Sequence, residues 1–244
     1  MHGTEMSTAH QKIKTPAVDT TAAGYYTARE ATRLLGLKQP AKLVAWLQGH
    51  RNSKSGPIIA RDRSPVFGSQ ELSFLDLMEL RFVEHFRRQG VSLQALRKAA
   101  ETLRKMQRQS HPFATSQAKF MTDRKSVFFA TAQELKDQVL LNLVTHQYAM
   151  YVIYEDALSN GVDFHPSTGL ARVWQPYPLE FPRIALNPLI SFGQPVVLPF
   201  GIPTATIFSA LKAENGDTAA VAAEFRIAEE LVKEAVAFEL RLPN

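Results

Sequence analysis

The sequence predicts a mainly α-helical protein with small β elements, an α+β fold, and three kinds of signal carry that expectation. Helix-start pairs of capping-box spacing occur at Thr27 with Glu30 and at Ser73 with Asp76. Apolar residues recur behind them at helical spacing, as in Leu75, Met78, Phe82 and Phe86, and glycines stand where such helices would stop, at Gly36 and Gly90. Short β-prone runs between turn residues, such as Ala171–Trp174 and Ile184–Leu186, supply the strands.

The 244 residues suggest more than one small unit. There is no cysteine, which excludes disulfides and thiolate metal sites and fits a reducing compartment. No run of 18 uncharged apolar residues occurs, and residues 1–24 lack an apolar signal core; they read as a disordered leader. A cytoplasmic protein without membrane partners is therefore expected. Charge is unevenly placed. Residues 1–110 hold 18 Lys and Arg against 9 Asp and Glu, whereas residues 184–244 hold 4 against 7. A basic segment attracts phosphate backbone and an acidic one is repelled by it.

In the basic segment, Thr27 caps a helix whose apolar face is Ala31, Leu34 and Leu35, and Gly36 stops it. A second helix follows at once, with Gln39 at the cap, Pro40 at its first position and a stripe of Leu43, Val44, Trp46 and Leu47. A short connection containing Gly is what a helix-turn-helix requires. Trp46 lies on the apolar stripe and reads as core. Ile58-Ile59-Ala60 and Val66-Phe67 read as two arms of a small hairpin, a wing. Ser73 opens a third helix and Ser92 a fourth, whose inner stripe is Leu93, Leu96, Ala100 and Leu103, with Arg97, Lys98, Arg104, Lys105 and Arg108 outside.

The middle segment, residues 111–188, reads as a small mixed domain. Residues 120–129 predict a hairpin, Gln138–Glu155 a helix or an extended run, Asn160-Gly161 a turn, and Ala171–Trp174 and Ile184–Leu186 strands. His111, His146 and His165 lack ligand spacing to one another, so no metal site is expected. Glu155, Asp156, Asp163 and His165 would be the acid–base or metal group of an enzyme, but a solvated loop explains them more simply. No Gly-rich phosphate loop, nucleophile elbow or His-Glu-x-x-His pattern occurs, so neither an enzyme nor a bound cofactor is expected.

Residues 189–244 return to legible helix signals. Ile190–Val197 is a strand-like lead-in, Gly201–Thr204 starts a helix, Gly216-Asp217 ends it and caps the next, and a last helix carries Leu231, Val232, Ala235 and Phe238. The last helix bears Glu229, Glu230, Glu234 and Glu239 against Lys233, a surface that phosphates would repel. This three-helix, helix-turn-helix-like unit is expected to serve dimerisation or partner docking.

Two stretches carry family resemblances. Tyr26–Leu37 (Tyr-Thr-Ala-Arg-Glu-Ala-Thr-Arg-Leu-Leu-Gly-Leu), Leu72–Arg81 and Arg87–Leu93 resemble the DNA-binding domain of MerR-type regulators over residues 25–110. The basic pair usual inside the second helix is reduced here to Lys42, and the wing lacks the common Gly-Tyr-Arg. Gly193-x-Pro195-Val196-Val197, Gly201-Ile202-Pro203-Thr204 and Val221-Ala222-x-x-Phe225 resemble the bacterial domain of unknown function 433, with Ala228 where relatives have Ser or Thr. Together they look like a long antitoxin of the VapB class. The resemblance implies a winged helix-turn-helix that reads double-stranded DNA, a homodimer, and a PIN-domain ribonuclease toxin as partner. In that fold the second helix enters the major groove. Gln39 and Lys42 then face base edges, and Arg51, Lys54, Arg61 and Arg63 contact phosphate. The alternative is a MerR-like regulator sensing a small molecule in its middle domain, in a pocket among Tyr148, Tyr151, Phe164 and Trp174.

Overall fold

The computed structural model describes residues 23–49, 56–62, 71–116, 125–145 and 160–243. Helices α1 (Ala28–Leu34) and α2 (Pro40–Gln48) open the fold, preceded by strand β1 (Tyr26–Thr27). β1 pairs antiparallel with β2 (Glu71–Leu72), with Tyr26 opposite Leu72. The capping signals work as the sequence predicts. Thr27 Oγ1 accepts from the Glu30 amide at 3.2 Å, and the Glu30 carboxylate accepts from the Thr27 amide at 2.8 Å. Gly36 follows α1 with a positive φ of 63°, which a glycine adopts without strain. Gln39 is the α2 cap residue but its side chain makes no capping bond, and Pro40 takes the first helical position.

Helix α3 (Phe74–Arg88) is the centre of the molecule. Ser73 and Asp76 form its capping box. Phe74, Leu77, Met78, Leu80, Phe82, Val83 and Phe86 are all buried, so the helix is covered nearly all round, as a central helix must be. α4 (Leu93–Gln107) starts at Ser92, whose hydroxyl accepts from the Ala95 amide at 3.1 Å. Next come α5 (Lys125–Leu135) and α6 (Gln138–Thr145), which pack on each other and, through α5, on α4. Residues 126–129, expected in a hairpin, are helical. Val127, Phe128, Thr131 and Ala132 form one buried face of α5, and Phe128 stacks into the aromatic cluster of Phe82, Phe86 and Phe113. Burial of that face decides the conformation over local β propensity. Gln138–Glu155 is helical over 138–145; the remainder lies outside the described residues.

A five-stranded antiparallel sheet runs in the order β3 (Val162–Phe164), β4 (Ala171–Trp174), β5 (Ile184–Leu186), β6 (Pro195–Val197) and β7 (Ile202–Pro203). The expected strands at 171–174 and 184–186 are both present, as is the turn at Asn160-Gly161. The lead-in at 190–197 is split: Ser191–Gly193 makes a 3-10 turn and only Pro195–Val197 is extended. Three helices follow, α7 (Thr204–Ala213), α8 (Thr218–Phe225) and α9 (Glu229–Arg241), with α9 packed chiefly on α7. Asp217 caps α8 through both Ala219 and Ala220 amides at 3.0 Å, and Ala228 begins α9 with no side-chain cap. The protein is thus mixed α and β and predominantly helical, and a continuous buried core extends from Tyr26 to Leu242. Among the described residues no helix is long and apolar enough to cross a membrane.

Candidate nucleic-acid interface

The two expected base-reading residues lie together on the exposed N-terminal turn of α2. Gln39 is exposed, as are Lys38, Pro40 and Ala41 around it. The opposite face of the helix is anchored by Leu43, Trp46 and Leu47, which are buried, so the helix has a fixed inward side and a solvent side. Trp46 is core, as the apolar stripe predicts. Val44 is only half-buried.

Lys42 is held rather than loose. Its Nζ lies 3.0 Å from the Glu84 carboxylate and 5.0 Å from the centre of the Trp46 ring. Glu84 also accepts from Arg88 Nε at 2.9 Å, one turn further along α3. Arg88 reaches the Leu35 carbonyl at the end of α1, at 3.4 Å. Lys42 and Arg88 therefore stand side by side on one buried carboxylate, each still about half exposed. Lys38, Gln39, Lys42 and Arg88 line a cleft of about 420 Å³. A second cleft of about 320 Å³ adjoins it through Glu84 and Arg88 and is lined by Arg81, Arg241, Trp174 and Tyr177. Arg81 sits 5.1 Å over the Trp174 ring, and burial lowers its pKa to about 10. Glu84, Arg88, Arg81 and Arg241 escaped the sequence reading. Only the i,i+4 spacing of Glu84 and Arg88 was there to signal a pair.

Among the other expected phosphate contacts, Arg61 is half-buried, and Arg51, Lys54 and Arg63 lie outside the described residues. The first arm of the expected wing is not a strand. Ile58 and Ile59 form a bend and are buried. Ile58 donates its amide to the Trp46 carbonyl at 3.0 Å and accepts from Arg104 at 2.8 Å, so docking on α2 and α4 takes the hydrogen bonds that a strand partner would use. The return arm, Val66-Phe67, lies outside the described residues. Arg104, read as an outer residue of α4, turns inward for this contact.

Beneath this bend lies a buried polar cluster that the sequence did not announce. His111 Nε2 is 2.7 Å from Asp62 Oδ1, and Ser73 Oγ donates to Asp62 Oδ2 at 2.6 Å. Asp76 Oδ2 accepts from the Ser73 amide at 2.9 Å, and Glu79 Oε1 from the Phe113 amide at 3.0 Å. Burial pushes the Asp76 carboxyl up to about 6, against the Ser73 amide, which holds it down. Burial lowers His111, but its contacts with Asp62 and Glu79 outweigh that and raise it to about 10. His111 stands 49 residues from Asp62 and 35 from Asp76 in the chain, so spacing could not link them.

The enzyme-like group of the middle segment does not assemble among the described residues. Asp163 pairs with Arg172 at 2.6 Å, and His165 Nδ1 is engaged by Ser167 and by the Thr168 amide within its own turn. Glu155 and Asp156 lie outside the described residues, as do Tyr148 and Tyr151 of the expected aromatic pocket.

The acidic C-terminal unit is docked on the N-terminal one. Arg33 donates to the Pro243 carbonyl at 3.0 Å and lies 3.4 Å from Glu239, which accepts from Thr204 Oγ1 at 2.6 Å. Tyr26 donates its hydroxyl to the Gly193 carbonyl at 2.6 Å, and burial raises its pKa. Gly193 has a φ of 85°, and a Cβ there would collide with that hydroxyl, so the contact requires glycine.

No family model matches the chain, and no curated protein matches it significantly. Among solved structures it is similar to the crystal structure of Rv2018 from Mycobacterium tuberculosis, with 24% identity and a TM-score of 0.64. The match covers 86% of this chain and 96% of that one, a likeness of fold along most of both molecules.

Proposed function

We propose that this chain is an antitoxin-type transcriptional autorepressor that binds promoter DNA through α2 and neutralises a PIN-domain ribonuclease toxin, acting as a homodimer in the cytoplasm and not as an enzyme. The observation that carries the DNA-binding part is the exposed N-terminal turn of α2. It presents Gln39 and Lys42 beside Arg88, in the segment with the basic surplus, while its other face is locked into the core. A helix fixed this way can lay its first turn in a major groove, where a Gln pairs with adenine and a Lys reaches guanine. The toxin and dimer parts rest on the family resemblance and on the acidic C-terminal unit.

The test is a gel-shift titration against the chain's own upstream DNA at two salt concentrations, with wild type and with Lys42→Ala plus Arg61→Ala. Specific binding that weakens with salt is expected, with a slope reduced by about 0.9 for each phosphate contact removed. Equal affinity for random DNA would defeat the reading. The toxin part is tested by co-expression with a PIN-domain ribonuclease encoded beside it; a stable complex with silenced cleavage is expected.

A second reading, a regulator that senses a small molecule, is favoured by one feature. The Arg81–Trp174 and Arg241–Tyr177 stacks line a cleft of about 320 Å³ at the end of α1, suited to an anionic planar ligand. A ligand that alters DNA affinity only when Arg241 is present would favour it.

A further inference from the structure

The cluster under the Ile58-Ile59 bend has one side left open in its bonding. Asp76 spends Oδ2 on the Ser73 amide, and Glu79 spends Oε1 on the Phe113 amide. Their other oxygens, Asp76 Oδ1 and Glu79 Oε2, are fully buried and have no hydrogen-bond partner, and neither has His111 Nδ1. His111 Nδ1 lies near both oxygens. His111 Nδ1 is 3.9 Å from Asp76 Oδ1 and 3.6 Å from Glu79 Oε2. Both separations exceed a hydrogen bond. They are close to the edge, about 3.4 Å, of a tetrahedron whose ligands sit about 2.1 Å from a central ion.

The outer nitrogen of the same ring fixes which proton stays when an ion binds. Asp62 Oδ1 is an acceptor at 2.7 Å, so His111 Nε2 carries the proton. Asp62 is itself held by Ser73 Oγ. A carboxylate that holds the proton of one ring nitrogen leaves the other, Nδ1, as the nitrogen that exchanges its proton for an ion, the arrangement that orients metal-binding histidines. Charge points the same way. Asp62, Asp76 and Glu79 bring three negative charges, and Arg104, 3.6 Å from Glu79 Oε2, brings one positive. A divalent ion that displaces the Nδ1 proton of His111 brings the sum to zero in a region too buried to leave charge uncompensated.

We propose that His111 Nδ1, Asp76 Oδ1 and Glu79 Oε2 form a site for one divalent cation of the zinc type, with Asp62 as the residue that positions the imidazole. The ligands come from α3 and from the turn after α4, and Asp62 comes from the bend after α2. The ion would therefore pin the segment carrying Arg61 to the central helix. The proposal does not depend on the DNA-binding reading.

The full-length chain, stripped with a chelator, is titrated calorimetrically with Zn²⁺, with Co²⁺ as a spectroscopic probe. One equivalent should bind, the melting temperature should rise, and Co²⁺ should give visible absorption of a low-coordinate nitrogen and oxygen site. His111→Gln should abolish binding, Asp62→Asn should weaken it by about 10- to 100-fold, and His165→Gln should leave it unchanged. Should His111→Gln not fold, the Asp62→Asn titration and the wild-type Co²⁺ spectrum decide. No stoichiometric binding by wild type would overturn the site and show that protons alone balance the cluster. Binding lost in His165→Gln but kept in His111→Gln would overturn it too.

Discussion

At the scale of single residues, the most consequential pairing is Lys42 with Glu84. Glu84 is buried and serves both Lys42 and Arg88. It positions the two cations, and it also competes with any phosphate that approaches them. Glu84→Gln is expected to strengthen binding to all DNA several-fold in the gel-shift assay without altering sequence preference, because only the competing charge is removed. Unchanged or weaker binding would show that the carboxylate acts mainly by positioning. Ala228 is a second informative residue. It begins α9 with extended backbone, φ −69° and ψ 146°, but its methyl group cannot accept a capping hydrogen bond from the first turn. Ala228→Ser should stabilise the protein by about 1 kcal/mol, read as a rise in the thermal midpoint.

At the scale of elements, the turns between helices are tied by side chains. Asp137 precedes α6, accepts from the Leu140 amide at 3.0 Å, and also accepts from the Ser92 amide at the start of α4, at 3.2 Å. Burial works against its charged form, but these amide bonds outweigh burial and hold the carboxyl below its ordinary value. A depressed carboxylate adds stability above its unfolded pKa, and that stability is lost as pH falls through the folded value. Asp137→Asn should therefore destabilise the protein at neutral pH and flatten the fall in stability between neutral and acidic pH. Equal pH profiles for mutant and wild type would contradict this. Helix α3 owes its central place to the aromatic cluster. Phe82 stacks on Phe86 at 4.4 Å and on Phe113 at 4.3 Å. Phe82→Ala should cost about 3–5 kcal/mol, measured by denaturant unfolding.

At the scale of the molecule, the three sequence segments share structure. Phe113 and Phe128 of the middle segment complete the cluster around α3, β5 pairs with β6 across the boundary at 188–189, and Arg33, Tyr26 and Glu239 join the two ends of the chain. Unfolding should accordingly be one cooperative event. Trp46 and Trp174 lie in different segments, so single-tryptophan variants, Trp46→Phe and Trp174→Phe, report on each half separately. Coincident midpoints are expected; separated midpoints would show that the docking is weak.

What the sequence determined by itself is local. The caps at Thr27, Ser73, Ser92 and Asp217, the glycine stops at Gly36 and Gly90, and the strands at 171–174 and 184–186 were all legible, because each depends on residues within one turn or one strand. The exposed first turn of α2, with Gln39 and Lys42, was legible for the same reason. Tertiary structure decided the rest. Residues 126–129 became helix because Phe128 had an aromatic cluster to enter, and Ile58-Ile59 became an anchored bend because α2 and α4 offered it hydrogen bonds. Glu84 beneath Lys42, Glu239 beneath Arg33, and the meeting of His111 with Asp62, Asp76 and Glu79 join residues dozens to hundreds of positions apart. Such pairings are set by which faces of the helices are buried together, a property of the packed core that no local spacing encodes.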